Sequence, residues 1–399
     1  MIAQLFPPDM GGGATRAYNA VKGLISAGCE ATVVAAFPHY PKGNIPSKYR
    51  WKPLTIEYFG ELKVVRTFVP PLASKGFARR LVLFASFMVS SLFAIPVVGK
   101  PDLVWASNPN IIAVFPAMMF KFVRGCHIAQ NVDDLWPEEV YDLGMLKSSI
   151  LRRLAEFVAK VAYTVSSVIT PISPSYVDVI VGKYKVSPQK VHVIPAGVDL
   201  RLFHQGPDKF EDSKNCGFKV LYIGAMSVAY DFDQVLRAAE LLKGHGDIGF
   251  VVQGGGELAP ALKSKVAEMR LNNVKIVDKI VSRREVAQTL SEADVLLLPL
   301  SGLGSIEMGL SSKLYEYQAA EKPIICCSSG QPGRYVSETE SGIVVKPGDY
   351  EALAEAVLYL RENHGVAEKW AERGRRYVEN NLSVEKIGLK MKKLFEALT

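Results

Sequence analysis

Short apolar runs alternate with longer amphipathic ones through the first half of the chain: "IAQLF", Ala14 to Ala27, "ATVVAAF", "LKVVRTF", "DLVWAS", "CHIAQNV" and "SVITPIS". Brief apolar runs between turn residues read as buried strands, and the longer stretches read as helices that cover them. Between Ala14 and Ala27 the residues Ala17, Ala20, Val21 and Leu24 share one helical face, and Gly28 stands where a helix C-terminus takes a glycine. "KVHVIPAGVDLRLF" predicts a last strand with a Pro-Ala-Gly turn. The polar stretch from His204 to Lys219 has no apolar period and predicts a linker. The alternation then restarts with "FKVLYIG", Asp233 to Leu242, "IGFVVQGGG", Leu258 to Met269, "NVKIVDK", Arg284 to Ser291, "ADVLLLPL", "PIICCSS" and "GIVVKPG". The pattern predicts an α/β chain of two doubly wound Rossmann-like domains, residues 1–203 and 220–380, joined by 204–219. Residues 381–399 form a C-terminal helix expected to pack back on the first domain. Ligands of such sheets bind at strand C-terminal ends and helix N-termini, so the crevice between the domains is the expected site.

Composition narrows this little. The 399 residues are 49% hydrophobic and 22% charged, with no repeat or low-complexity tract, as in a folded globular protein. The five cysteines lack zinc-ligand spacing, and the adjacent Cys326 and Cys327 lie in an apolar run, which fits buried free thiols in a reducing compartment. A net charge of +7 does not demand nucleic acid and suits anionic substrates or anionic membrane surfaces. Arg79 and Arg80 lead into a charge-free run from Leu81 to Val98, closed by Lys100. Its length is just enough to cross a bilayer, but Ser86, Ser90, Ser91 and Pro96 lower its hydrophobicity. The expectation is a helix packed in the core or lying in the membrane interface, with Lys75, Arg79 and Arg80 toward anionic lipid. "MIAQLFPPDMGG" has no basic region or long apolar core of a signal peptide, and the first strand begins so close to Met1 that an upstream start is conceivable.

Two stretches carry candidate chemistry. Gly11, Gly12 and Gly13 join the first strand to the first helix and offer backbone N–H groups at a positive helix end, without the G-x-G-x-x-G order of a dinucleotide site. In "GLSSKLYEYQAAEKPII", Ser311 or Ser312 caps a helix whose free N–H groups and Lys313 make a phosphate site. Glu316 shares that face and can accept hydrogen bonds from the vicinal hydroxyls of a ribose; its bland alternative is a helical pair with Lys313. "QNVDDLWPEEV" adds Asp133, Asp134 and Glu138, carboxylates able to orient or deprotonate an acceptor hydroxyl. Asp134 ranks first, with a helix N-cap ahead of Trp136-Pro137 as its alternative. His39, just past a strand end, is a further acceptor-side candidate, whereas His127 inside a strand reads as structural. Asp133 and Asp134 are adjacent and project apart on a strand, so no metal cluster is visible.

"SSKLYEYQAAEKP" resembles the nucleotide-sugar motif of retaining GT-B glycosyltransferases of family 4. "FPPDMGGGATR", "VIPAGVDLRLF", "VVQGGGEL" and "ADVLLLPL" match other parts of that family in order. "DDLWPEEVYDLGMLK" and "FPHYPKG" resemble its colanic acid and O-antigen N-acetyl-fucosamine transferases, and the resemblance covers essentially the whole chain. It implies transfer of a sugar from an NDP-sugar, with uridine as the base, to a lipid-linked or saccharide acceptor at the cytoplasmic membrane face. The acceptor hydroxyl attacks on the face from which the diphosphate leaves, with no protein nucleophile and no metal required. By the same resemblance Gly12, Gly13, Ser312, Lys313 and Leu314 contact the diphosphate, Ile280 and Val281 the base, Glu316 the ribose, and Glu307, Met308, Gly309 and Leu310 the donor sugar. Arg16, His39, Asp133, Asp134 and Glu138 form the acceptor side.

Two departures stand out. Relatives place a second glutamate eight positions before Glu316, where this chain has Met308 and Glu307 lies one further away. Relatives also carry an Arg and a Lys after the first strand of the second domain, and "YIGAMSVAYDFD" has neither. Lys313 and the helix end would then carry more of the phosphate charge, with Arg16 an outside candidate. An NDP-sugar epimerase on the same fold, or a non-catalytic partner of another transferase, are the alternatives.

Overall fold

A computed structural model describes residues 1–40, 42–73, 76–107, 111–146, 148–203 and 217–399. The chain divides into two compact units, Met1–Gly197 with Val384–Thr399, and Val198–Ser383. The division falls at Gly197 and not at the expected residue 203. Most of the expected linker, with Lys75 and Cys216, lies outside the described residues.

In the first unit, helix α1 (Gly12–Ser26) leads to strand β1 (Thr32–Ala36), the hairpin β2 (Leu54–Phe59) and β3 (Leu62–Thr67), and helices α2 (Phe77–Ser90) and α3 (Ile95–Val98). Then follow β4 (Leu103–Ala106), α4 (Val114–Arg124), β5 (His127–Val132), α5 (Glu138–Asp142), α6 (Ser149–Val165), β6 (Val168–Pro171) and α7 (Pro174–Gly182). The strands run β1-β3-β2 and β4-β5-β6, parallel except for β2 against β3. Ile2 bridges both Val34 and Ala106, so the opening residues stitch the two halves into one sheet. The strands predicted from branched apolar runs are those buried on both faces. β2 escaped prediction because, as an edge strand with mostly half-exposed residues, it shows no apolar run. "KVHVIPAGVDLRLF" forms no strand: Val191 makes a single bridge to Ile169, Pro195 has no N–H to donate, and Leu200–Phe203 is a 3-10 turn.

Of the two expectations for the apolar segment from Ala78 to Val98, a core helix or a helix in the membrane interface, the structure does not give the core helix. Only a little over a quarter of it is buried, and α2 gives way at Ser91 to a 3-10 turn before α3. Helices α4 and α6 of the same unit also bear exposed apolar residues, Phe122 at 85%, Ile150 at 76% and Phe157 at 63% exposure.

The second unit is a single parallel sheet. Its elements are β7 (Phe218–Ile223), α8 (Phe232–Leu241), β8 (Ile248–Gly254), α9 (Ala259–Glu268), β9 (Val274–Asp278), α10 (Arg283–Ser291) and β10 (Val295–Pro299). They continue with α11 (Gly304–Met308), α12 (Ser312–Ala319), β11 (Ile324–Cys327), α13 (Gln331–Glu338), β12 (Gly342–Val345), α14 (Tyr350–Glu362) and α15 (His364–Asn381). Lys219 thus belongs to β7 and not to the linker. The strand order β12-β11-β10-β7-β8-β9 reverses between β7 and β10, the position at which doubly wound sheets open a ligand crevice. Cys326 and Cys327 lie buried and free in β11, and burial pushes both thiols up.

Helix α16 (Val384–Glu396) belongs to the first unit and packs on α1. A Cβ on Gly23 would lie 2.4 Å from Val384 O and one on Gly388 2.0 Å from Gly23 O, so the two helices meet backbone to backbone.

Candidate active site

In the second unit the residues around Lys313 converge on the β7–β10 reversal. Ser311 caps α12, its hydroxyl accepting from the Lys313 N–H at 3.4 Å. The Leu314 N–H goes to Ser311 O at 3.1 Å. Two of the first-turn N–H groups expected to be free are therefore engaged within the helix end, and the Lys313 ammonium becomes the principal group for an anion. The Lys313 stem packs over Gly224, just beyond β7: a Cβ there would lie 2.3 Å from Lys313 Cε, and the residue has φ +155°. Its Nζ donates to the Tyr230 hydroxyl at 2.8 Å and lies 5.0 Å from that ring's centroid. The loop after β8 closes on the loop after β7 through the hydrogen bonds Gly224 N–H to Gln253 O and Met226 N–H to Gly255 O, both 2.9 Å.

Glu316 sits one turn along α12 but does not pair with Lys313. Its two oxygens take a bidentate fork from Arg283, at 2.7 and 3.2 Å. Arg283 was not anticipated, because 33 residues separate it from its partner. The local signal was the capping box Ser282–Glu285, which fixes Arg283 as the first residue of α10. Ile280 is exposed and lies over Gly255.

On α11, Glu307 Oε2 accepts from Ser328 Oγ at 2.6 Å and from the Gly330 N–H. Its Oε1 is buried without a hydrogen-bond partner among the described residues. An unsatisfied buried carboxylate oxygen is costly, and a ligand hydroxyl would relieve it. The side chains of Leu310 and Leu314 are buried in the core, so only their backbone could serve a ligand.

The first unit gathers a second charged group. Gly12 and Gly13 open α1, which has no side-chain cap, and a Cβ on Gly12 would meet nothing within 4 Å. One turn on, Arg16 reaches the segment after β5, with Nε 3.6 Å from Asp133 Oδ1 and a terminal nitrogen 3.9 Å from Asp134 Oδ1. Asp134 is not a helix cap, since Pro137 occupies the cap position of α5.

Glu138, expected on the acceptor side, is instead tied to Lys183 at 2.9 Å and to the Tyr184 hydroxyl at 2.7 Å. Its neighbour Glu139 faces the cluster: the Asp134 charge and burial push its carboxyl up to about 8. On a helix this short the sequence does not fix which of the two adjacent glutamates points where. His39 is enclosed, its ring Nδ1 2.8 Å from Phe37 O and its backbone N–H given to Asp9 Oδ1 at 2.9 Å. His127 is half-buried in β5 beside Ser167 Oγ at 3.2 Å. Beneath the glycine loop the fully buried Arg66 pairs with Glu57 at 3.1 Å and donates to the carbonyls of Phe6, Pro7 and Ala36.

Comparison with known proteins gives this arrangement a family. The profile "Glycosyl transferases group 1" matches residues 208–377 and "Glycosyltransferase Family 4" matches residues 10–202. The chain is 23% identical to the MMP alpha-(1->4)-mannosyltransferase of Mycolicibacterium hassiacum over 58% of this chain and 54% of that protein. It is 26% identical to the O-antigen chain mannosyltransferase C of Escherichia coli over 67% of this chain and 70% of that one. The match spans about half the length of the first of these and less of some other curated relatives. Among solved structures, Anabaena HepE in complex with UDP-glucose aligns with a TM-score of 0.72 at 13% identity, covering 99% of both chains. The two profiles together take in most of both units, and the chain belongs to the family 4 glycosyltransferases of GT-B fold.

Proposed function

We propose that this glycosyltransferase works with retention of configuration, moving a sugar from a UDP-linked donor to a lipid-linked or saccharide acceptor in cell-surface polysaccharide synthesis. The observation that carries the reading is the Lys313 ammonium, held over Gly224 and against Tyr230 where the second sheet reverses its strand order. A fixed cation at that point meets the charge that grows on the leaving diphosphate, which is where such catalysis does most of its work. Glu316, oriented by Arg283, still has lone pairs for the ribose hydroxyls. Glu307 offers its unsatisfied Oε1 to the sugar. The exposed Ile280 with Val281 provides the surface for the base.

On the acceptor side, Asp134 beside Arg16 is the carboxylate that orients the incoming hydroxyl. The reaction as proposed uses no metal, because Lys313 and the α12 end supply the positive charge. The E. coli relative is by name an O-antigen chain mannosyltransferase, which supports the acceptor class, and HepE is by title a UDP-glucose complex, which supports the base. The exposed apolar residues of α2, α4 and α6, with Arg79, Arg80, Lys121, Arg153 and Lys160 exposed on the same helices, support a cytoplasmic membrane face as the place of work.

The test is nucleotide release from a panel of UDP- and GDP-sugars in the presence of EDTA and membrane lipid extract, with product anomeric configuration read by NMR. UDP release with a retained anomer is expected. No release from any UDP-sugar, or an inverted product, overturns the proposal.

A further inference from the structure

Lys313 has three N–H groups, and one is spent on the Tyr230 oxygen at 2.8 Å. Accepting from a cation polarises the phenol, so the Tyr230 O–H becomes a stronger donor. That proton needs an acceptor. Within the protein the neighbouring hydroxyl is that of Tyr222, which already gives its own proton to Ala225 O at 2.6 Å and so offers only a neutral lone pair. An anionic phosphate oxygen is the better acceptor, because charge-assisted hydrogen bonds are about twice as strong as neutral ones.

The placement of Tyr230 is not casual. Its backbone N–H is bound to Ser227 O at 3.1 Å, and the residue bridges Leu300, immediately after β10. The hydroxyl is thus pinned beside the end of β10, while Gly224 leaves room for Lys313 at the end of β7. The side chain is only half-buried, so a ligand can reach it. The segment from Gly224 to Asp233 contains no Lys or Arg that could take this place.

We propose that the Tyr230 hydroxyl is a direct ligand of the donor's diphosphate, acting with Lys313 as one two-pronged clamp and replacing a second cation with a neutral donor. The inference rests on the donor-site reading above. The site would then carry less positive charge than a two-cation site and bind a nucleoside diphosphate with a shallower dependence on salt.

The experiment compares Tyr230→Phe with the wild type by calorimetric titration of UDP and, separately, of uridine. Phenylalanine keeps the ring under Lys313, and uridine binding in the variant reports that the rest of the site is intact. The expected result is UDP affinity lowered about tenfold with uridine affinity unchanged, as for loss of a hydrogen bond to a charged group. Unchanged UDP affinity overturns the inference. Equal weakening of UDP and uridine also overturns it, since that is the behaviour of a purely structural brace. A wild-type protein that binds neither UDP nor GDP overturns the donor-site reading itself; if it binds GDP alone, GDP and guanosine replace the uridine pair in the same comparison.

Discussion

Glu139 should make the first unit lose stability as pH rises, and Glu139→Gln should remove that loss. The carboxyl has a reference value of 4.5 and is pushed up to about 8 by the Asp134 charge and by burial. A group whose folded value is raised binds its proton more tightly when folded. Its contribution is therefore complete below the unfolded value and disappears as pH climbs through the folded one. The interval from 4.5 to about 8, at about 1.4 kcal/mol per unit, sets a ceiling of about 4–5 kcal/mol. Glu139 keeps part of its surface in solvent and titrates together with Asp134, which reduces the observable effect to about 1–2 kcal/mol.

The assay is differential scanning calorimetry of both proteins from pH 5 to 8. Glutamine copies the neutral acid, so the two should melt nearly together at pH 5. By pH 8 the variant should be higher by about 2–8 °C, at about 2–4 °C per kcal/mol for a unit of this size. Parallel curves, or a variant less stable than wild type at pH 8, would refute the placement of Glu139 against Asp134.

Gly224→Ala should cost the fold about 1–3 kcal/mol, because alanine is strained at φ +155°, and should damage the phosphate site as well: the new Cβ, 2.3 Å from Lys313 Cε, pushes that flexible stem aside, so UDP affinity should fall at least tenfold in a variant that still melts cooperatively. Wild-type affinity in the folded variant would mean that Lys313 is not fixed there. Phe122→Glu combined with Phe157→Glu should abolish co-sedimentation with phosphatidylglycerol vesicles, since both rings are exposed on α4 and α6 beside lysines and arginines. Undiminished binding of the double variant would remove these helices from the membrane surface.

The second unit was legible because its inner strands β7, β8, β10 and β11 are buried on both faces and read as apolar runs, while the edge strands β9 and β12 are short branched runs closed by turn residues. The start of α12 was legible too, since Ser311, Ser312 and Lys313 are local signals. What remained hidden depends on partners distant along the chain. The Arg283 fork on Glu316 and the Tyr230 contact with Lys313 are made only when β7, β9 and β10 line up their C-terminal ends. His39 looked available because it follows a strand, but the Asp9 carboxylate draws its backbone inward. The α2 segment reads equally as core or as membrane interface because it is apolar, and a protein that leaves such a face exposed gives no local sign of doing so.

The central claim is that the Lys313 ammonium holds the donor's diphosphate, and the most direct measurement is the UDP dissociation constant of wild type against Lys313→Ala in the presence of EDTA. Loss of a charge-assisted contact of about 1.5–3 kcal/mol predicts a 10- to 100-fold weakening, about what those energies amount to, with uridine affinity unchanged. UDP binding that needs a divalent metal, or that survives in Lys313→Ala at wild-type strength, would contradict it.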